Sequence, residues 1–452
     1  MASWSVSVRH ALVGGGLALV ACGSVATPPS PGGSAPIDPT ATSPVVPLPT
    51  DPPPPPPPPP VKPGAGIVWG ILGTGQSLSV GGRGGGAPYE PAVRTAGEGH
   101  FVLRNMTGGK LDALPFPQAK PASEWKLETL AEPMREAGSG SGPWPINVSY
   151  QSPHAPFAEE IARLSGGSVR TAHIVVGQNG QGIDGIKKGG TVHSYAASLA
   201  EATRMRELLA GLGYELRFAA VLLTHGETDH GRATYAADVE KLQADYDADL
   251  RAITGQTRRV PMFLTHPSAA YVNPPMGIYN TTTDAMTAAW RKSPATIRLV
   301  GGKTNLEYAT ENFHLSERGT AELGRMYARH VYPWITSETF RDPVAPVDVV
   351  RDGAKVTITT NRPLVDDPRH FGTMHATGPW AAAKGFEAHA IDGTPIAITS
   401  AEITGSTVVL TCASTPYEVS HATYADGPSP VVRRVRLRDA DGEWLIQFRK
   451  VL

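Results

Sequence analysis

The regular alternation of two kinds of segment between residues 65 and 335 constrains the fold most strongly. Short runs rich in β-branched and other apolar residues alternate there with longer segments of helical period. Parallel strands need long crossovers, which are usually helices, so this alternation predicts a three-layer α/β fold. The strand-like runs cover residues 66–72, 173–176, 218–223, 260–265 and 296–300. They are enough for a flavodoxin-like domain with a parallel five-stranded sheet.

Three of the intervening segments are predicted to be helices. The clearest has one apolar stripe with spacings of three and four, formed by Tyr235, Val239, Leu242, Tyr246, Leu250 and Ile253. Residues 196–212 and 317–331 have a similar period. Residues 81–165 instead mix Gly, Pro and aromatic residues without a clear period, and connections this long are usually functional or flexible. We expect an insertion beside the ligand-binding face, with one helix near residues 123–136.

After Arg341 the pattern changes to short alternating runs separated by turn residues, such as AKVTITT, STVVLTC and VVRRVRLR. This pattern predicts an all-β module at residues 340–452, most simply a sandwich. The α/β domain is then expected at residues 65–335.

The N-terminus has the pattern of an export signal. Arg9 and His10 precede an apolar run of small residues at 11–21, about half the length that a membrane-spanning helix needs. The four residues 19–22, LVAC, resemble a bacterial lipobox, after which the cysteine becomes an acylated N-terminus. The resemblance implies a signal peptide at 1–22, lipidation of Cys22 and a lipid-anchored protein of the cell envelope. The alternative is an ordinary signal peptide with a chance cysteine.

A proline-rich segment follows the signal. Residues 23–64 contain almost no large apolar side chain, and residues 52–60 are an unbroken run of proline, which adopts extended polyproline II. We expect a disordered linker that holds the folded part away from its anchor.

Charge and cysteine content limit the classes of partner. Lys plus Arg total 40 and Asp plus Glu total 41, so a net charge of −1 gives no argument for nucleic acid as a partner. The two cysteines, Cys22 and Cys412, cannot form a disulfide framework. We expect Cys412 to be a packed thiol.

The motif GTGQSLSVG, residues 73–81, directly follows the first predicted strand. In open parallel sheets the loops at the carboxyl ends of the strands line the ligand crevice, which places Ser77 where a nucleophile could react. The surrounding glycines allow tight turns with backbone amides available for an oxyanion hole. The alternative is a plain Gly-rich turn. Ser79 stands where the α/β-hydrolase elbow needs glycine, which disfavours that fold.

The motif ENFHLSERG, residues 311–319, precedes the last predicted helix of the α/β domain. Ser316 is a suitable N-cap, so His314 lies just outside the helix, where its ring can reach the crevice as a base. Glu311 could orient the imidazole and stabilise its charged form. Taken alone, a histidine at a helix entry is more often structural than catalytic.

Together these motifs resemble the SGNH or GDSL hydrolase superfamily, in its branch of sialate O-acetylesterases and related carbohydrate acetylesterases. Gly75-Gln76-Ser77 matches the GQS nucleophile motif, and Glu311 with His314 matches the closing block, where Asp is the commoner acid. The resemblance covers residues 66–331. It implies a serine esterase, active on acetyl or short acyl esters of small molecules or polysaccharides, that needs no metal or cofactor. Its catalytic residues would be Ser77, His314 and Glu311.

Two further blocks of the resemblance concern the oxyanion hole and the substrate. Residues 180–183, GQGI, loosely match a GTSI block, which makes Gly180 a backbone oxyanion donor. THGETDHG, residues 224–231, lies where the family has a QGESD-like block. His225 then stands in place of the family's glutamine donor, and Asn179 is the alternative donor. Gln76 and Glu227 are implied to bind substrate.

Two other functions stay open from the sequence. One is a catalytically inactive, carbohydrate-binding surface lipoprotein that keeps the fold. The other is a metal-dependent hydrolase, because the block containing His225, Glu227, Asp229 and His230 also matches the metal-binding signature of metallo-β-lactamase-fold proteins. That fold would place this block near the start of the domain, which makes the metal hypothesis the weaker one.

Overall fold

A seven-stranded sheet forms the centre of the protein in a computed structural model that describes residues 66–81, 91–104, 124–132, 134, 151–267, 280–309, 314–367, 382–422 and 435–452. Cys22 and Glu311 lie outside the described residues. The strands are β1 (Gly66–Gly75), β2 (His100–Arg104), β3 (Lys126–Thr129), β4 (Arg170–Val175), β5 (Tyr214–Thr224), β6 (Met262–His266) and β7 (Ile297–Gly302). Their order is β3-β2-β4-β1-β5-β6-β7. Every pairing is parallel except that of β2 with β3.

The five predicted strands overlap β1, β4, β5, β6 and β7. In order along the chain these five are arranged 2-1-3-4-5, the doubly wound order in which the ligand crevice lies beside the first strand. The sheet nevertheless has seven strands and not five, because the insertion contributes β2 and β3 to one edge.

The prediction of a helix near residues 123–136 is wrong for the described part of that segment. Residues Lys126–Thr129 form β3, which pairs antiparallel with β2 at the edge of the sheet. Its sequence KLET favours a helix locally, but pairing with a neighbouring strand overrides that weak preference.

Helices cover both faces of the sheet. They are α1 (His154–Ser165), α2 (Ile183–Ile186), α3 (Ser194–Gly211), α4 (Tyr235–Thr254), α5 (Thr282–Lys292) and α6 (Glu317–Ser337). Side chains alternate between two cores along β1: Val68 and Leu72 pack with α3, α4 and α5, whereas Trp69 and Ile71 pack with α1 and α6. Burial on both faces explains why the central strands are almost continuously apolar.

The C-terminal part is built of antiparallel strands. They are β8 (Pro346–Asp352), β9 (Lys355–Thr360), β10 (Val365–Asp366), β11 (Phe386–His389), β12 (Pro395–Ile396), β13 (Ile398–Thr404), β14 (Thr407–Cys412), β15 (Glu418–His421), β16 (Leu437–Arg438) and β17 (Phe448–Val451). The two larger sheets have the orders β13-β14-β9-β8 and β12-β11-β15-β17. Ile358 and Leu410 of the first sheet share one buried cluster with Phe386 and Phe448 of the second. Cys412 is a buried free thiol.

All described residues belong to one compact unit, Pro57–Leu452. Within the part of the chain that the structure describes, no helix combines the length and apolar character needed to cross a bilayer.

Candidate active site

Ser77 and His314 meet at the carboxyl end of β1. Ser77 begins a short 3-10 turn, Ser77–Ser79, directly after the strand, and its side chain is almost buried. Nε2 of His314 lies 3.0 Å from Oγ of Ser77. This distance is within the reach over which an imidazole can remove the proton of a serine hydroxyl. The structure therefore brings together the predicted nucleophile and the predicted base.

The start of α6 holds His314 in place. Ser316 is the N-cap of that helix, and its side chain accepts a hydrogen bond from the amide of Gly319. The Ser316 hydroxyl also donates to Oε1 of Glu307 at 2.7 Å. The backbone oxygen of His314 accepts from the amide of Ala309 at 2.8 Å. These bonds fix the backbone of His314 from both sides, whereas Glu311, the predicted triad acid, lies outside the described residues.

The turn that carries Ser77, residues 76–80 (the β1 turn), is held against the end of β5. The amide of Gln76 donates to the carbonyl oxygen of Thr224 at 3.1 Å, and the Ser79 hydroxyl donates to the Gln76 carbonyl at 2.6 Å. Gly75 has a φ of +135°, and a Cβ there would lie 2.1 Å from the Thr224 oxygen. Only glycine fits this approach of two backbones.

The loop after β4, residues 176–182 (the β4 loop), presents the two predicted oxyanion donors Asn179 and Gly180. Both residues are exposed, and the structure gives neither of them a hydrogen bond to another described residue. The amide of Gln178 donates to the carbonyl of Gly75 at 3.0 Å, which joins this loop to the end of β1. The donors at Asn179 and Gly180 are thus available to a ligand at this edge of the sheet.

His225, the other predicted oxyanion donor, is fully buried and makes two hydrogen bonds within the protein. Its Nε2 lies 3.0 Å from the backbone oxygen of Gln181, and its Nδ1 lies 2.8 Å from the hydroxyl of Tyr235. Burial lowers the pKa of His225, which favours the neutral ring. Because a carbonyl oxygen only accepts, Nε2 carries the hydrogen and Nδ1 accepts from Tyr235. Donation to a substrate from His225 would break the bond to Gln181.

The two predicted substrate-binding residues are also buried. Oε1 of Gln76 accepts from the Thr228 hydroxyl at 3.2 Å. Oε1 of Glu227 lies 3.0 Å from Nζ of Lys303, and both of these charged side chains are inaccessible to solvent. Lys303 was not predicted from the sequence, although its place directly after the apolar run of β7 puts it at the same edge of the sheet.

The candidate metal ligands of the THGETDHG block do not converge on one point. Glu227 pairs with Lys303, Asp229 accepts from the amide of Ile183 at 2.9 Å, and Nδ1 of His230 accepts from the amide of Thr281 at 3.4 Å. Among the described residues, no group of three or more His, Cys, Asp or Glu side chains is arranged to hold a metal ion. The arrangement does not favour the metal-dependent alternative.

A separate cavity of about 540 Å³ lies between α6 and the turn before β17. Its walls include Leu306, Met326, Arg329 and Trp444. Neither Ser77 nor His314 lines this cavity, so it is not the space in which these two side chains would meet a substrate.

Comparison with known proteins finds similarity to solved structures. No protein-family model and no curated protein sequence matches the chain. A carbohydrate acetylesterase from Xanthomonas citri matches with a TM-score of 0.52 and 15% identity, over 85% of this chain and 80% of that one. A protein from Arabidopsis thaliana, with a TM-score of 0.40 and 17% identity, covers 59% of this chain and 98% of its own. NanS, with a TM-score of 0.38 and 11% identity, covers 61% and 99%. The chain therefore shares its overall fold with a solved carbohydrate acetylesterase.

Proposed function

We propose that the protein is a serine esterase that removes acetyl or other short acyl groups from carbohydrates. The observation that carries the proposal is the 3.0 Å contact between Nε2 of His314 and Oγ of Ser77, at the edge of the sheet where doubly wound folds bind ligands. The fold shared with a carbohydrate acetylesterase supports the class of substrate.

In the proposed mechanism Ser77 attacks the carbonyl carbon of the ester while His314 takes the hydroxyl proton. The tetrahedral intermediate then expels the sugar oxygen, which receives that proton from His314 and leaves as an alcohol. Water attacks the acyl-serine next, again losing its proton to His314, and the acid product leaves as the Ser77 hydroxyl is restored. Glu311 is proposed to orient the imidazole and to stabilise its charged form.

The carbonyl oxygen gains negative charge in both tetrahedral intermediates and needs hydrogen-bond donors. We assign this role to the backbone amide of Gly180 and the side-chain amide of Asn179, because both are exposed and have no hydrogen bond to a described residue. His225 is less suited, since both of its ring nitrogens already have partners. Loss of one oxyanion donor typically lowers turnover by about 10²–10³-fold.

The N-terminal sequence adds a location to this proposal. Cleavage before Cys22 and acylation of its thiol would attach the enzyme to a membrane of the cell envelope, with residues 23–64 as a spacer. The substrate would then be an acylated sugar or polysaccharide that the tethered domain can reach from that surface.

The decisive experiment treats the full chain with a fluorophosphonate probe and, separately, with acetylated sugars and a small chromogenic acetyl ester. We expect the probe to label Ser77 and the wild type to release acetate. Ser77→Ala should lose labelling and at least about 10³-fold of kcat. Ser198→Ala is the matched control, because Ser198 is also a buried, hydrogen-bonded serine but lies in α3.

A folded Ser77→Ala protein with undiminished activity would overturn the assignment. Absence of both labelling and hydrolysis in a wild type that still binds the sugar would instead support the inactive, carbohydrate-binding alternative.

A further inference from the structure

The loop that follows β5, residues 225–229 (the β5 loop), contacts both of the loops that carry the proposed catalytic groups. Towards the nucleophile, Thr228 donates to the side chain of Gln76, next to Ser77. Towards the oxyanion donors, His225 donates to the carbonyl of Gln181, and a carboxylate oxygen of Asp229 accepts from the amide of Ile183. One loop thus sets the distance between the β1 turn and the β4 loop.

The middle residue of the β5 loop, Glu227, pairs with Lys303, which follows β7 on the opposite side of β5 from β1 and β4. Glu227 is 1% exposed and Lys303 is 0% exposed, with 3.0 Å between Oε1 and Nζ. No hydrogen bond from a described residue reaches either carboxylate oxygen of Glu227. Within the described part of the chain, Lys303 is therefore the one group that balances this buried charge.

A buried ion pair often adds little net stability to a fold. Removing two charges from water costs several kcal/mol per ion, and their mutual attraction repays this cost only when the geometry is good. Apolar side chains of similar volume often stabilise a protein as well or better. What the pair does supply is a close charge contact between the middle of the β5 loop and the residue that follows β7, and β7 lies on the opposite side of β5 from β1 in the sheet.

Hydrogen bonds to Gly226, the residue before Glu227, also hold the β5 loop in place. The backbone oxygen of Gly226 accepts from the side chains of Asn280 and Thr282, at 2.9 and 3.1 Å. Gly226 has a φ of +114°, and a Cβ there would lie 2.8 Å from the hydroxyl oxygen of Thr282. The loop is thus held in a conformation that favours glycine, with Glu227 as its anchor in the core.

We propose that Glu227 and Lys303 are a positioning pair, which holds the β5 loop in the shape that sets Ser77 and the Gly180 amide at catalytic distance. The inference rests on the proposed esterase function, and it gives Glu227 a role other than substrate binding. Neither residue touches the substrate. Their effect reaches the reacting atoms through Thr228 and Gln76 on one side and through His225 and Gln181 on the other.

The test compares Lys303→Met with the doubly neutral variant Glu227→Gln/Lys303→Met. Lys303→Met leaves a buried carboxylate without its cation, so the β5 loop should shift to hydrate or protonate it. We expect kcat and the rate of fluorophosphonate labelling of Ser77 to fall about 10²-fold, the loss that a displacement near 1 Å can cause. KM should change by less than about twofold, because the substrate contacts are intact. The double variant should recover a large part of kcat.

A second readout does not depend on activity. Hydrogen exchange in peptides that cover residues 76–81 and 176–186 should accelerate in Lys303→Met, although no hydrogen bond or ion pair joins the Lys303 side chain to either segment. Arg438→Met is the control, since it breaks the 2.6 Å ion pair with Asp367 in the C-terminal β module. It should lower stability without changing exchange in these two segments.

The outcomes separate the inference from the function on which it rests. A Lys303→Met protein with wild-type kcat and unchanged exchange in both segments would overturn the positioning role and leave the esterase intact. A wild type that neither reacts with the probe nor hydrolyses esters would refute the esterase. The exchange data would still decide whether the pair holds the two loops.

Discussion

Nε2 of His314 lies 3.0 Å from Oγ of Ser77, although the two residues are 237 positions apart in the chain. The parallel sheet explains this proximity, because β1 ends just before Ser77 and the segment after β7 leads back to the same edge before α6 begins. Both side chains depend on tightly bonded turns for their direction. The proposed mechanism turns this proximity into predictions that can be measured.

Replacing Ser77 and His314 together should lower kcat no further than replacing Ser77 alone. The two groups act as one unit, so each single alanine variant should lose at least about 10³-fold, and the double variant should retain the same residual rate. Steady-state kinetics on a small acetyl ester, with folding checked by circular dichroism, measures this. If the loss of kcat in the double variant equalled the product of the two single-variant losses, the two residues would act independently.

Asn179 and His225 should respond differently to substitution. Asn179→Ala removes an exposed side chain, so we expect kcat to fall about 10²-fold with little change in the melting temperature. His225→Ala removes two buried hydrogen bonds and should reduce the free energy of unfolding by about 2–4 kcal/mol. Kinetics and thermal melts of both variants decide the question. The reverse pattern would identify His225 as the oxyanion donor.

Gly75→Ala should be much more damaging than Gly231→Ala. A Cβ at Gly75 would lie 2.1 Å from the Thr224 oxygen, whereas one at Gly231, also at positive φ, meets nothing within 4 Å. We expect Gly231→Ala to cost about 1 kcal/mol of unfolding free energy, from its backbone conformation alone. Gly75→Ala should cost more than about 3 kcal/mol. Urea denaturation measures both, and equal costs would contradict the close approach of β1 to β5.

The folded state should lose stability as the pH falls from about 6.5 to about 4. Burial lowers the pKa of His100 and of His421 from 6.5 to about 4. As the pH falls, the unfolded chain therefore takes up these protons before the folded state does. Each histidine's contribution to the free energy of unfolding is complete above pH 6.5 and is lost as the pH falls to 4. At 1.36 kcal/mol per pKa unit, each contributes about 3 kcal/mol.

Glu132 acts in the opposite sense over part of this range. Burial raises its pKa from 4.5 to about 7, so the folded state binds this proton more tightly and Glu132 stabilises the fold most below pH 4.5.

His421→Phe, whose new ring would lie beside Phe386 and Phe448, should flatten the pH dependence of the melting temperature. An unchanged pH profile in that variant would show that His421 does not titrate with unfolding.

Cys22→Ser should abolish attachment to the membrane. When the chain is expressed with its N-terminus intact in a bacterial host, the wild type should incorporate labelled palmitate and sediment with membranes. Cys22→Ser should do neither. Cys412→Ser is the control, because Cys412 is buried in the β module. Equal labelling of wild type and Cys22→Ser would rule out the lipid anchor at this position.

The sequence predicted the five strands from β4 to β7 in the sheet order and missed β2 and β3, which the insertion adds on one side. Residues of β1 and β5 contribute to the cores on both sides of the sheet, which leaves long apolar runs that can be recognised. β3, in contrast, is half-exposed with the sequence KLET, so no apolar period marks it and its pairing with β2 decides its structure. Local preference alone predicted a helix there.

In the candidate site, too, some features could be predicted from the sequence and others could not. Ser77 and His314 could be proposed from their place after a strand and before a helix, and the structure brings them together. The contact between Glu227 and Lys303 could not be proposed in that way, because it depends on the directions of two side chains at the ends of different strands. The roles of Glu311 and Cys22 stay predictions, since both lie outside the described residues.

The position of His314 also bears on when the proposed activity could arise during synthesis. Every strand of the central sheet precedes this residue, and the helix that fixes its backbone follows it. A nascent chain that stops anywhere before residue 314 carries the proposed nucleophile without its proposed base. Under the proposed mechanism, a protein released from the ribosome before that point would be inert towards the cell's own esters.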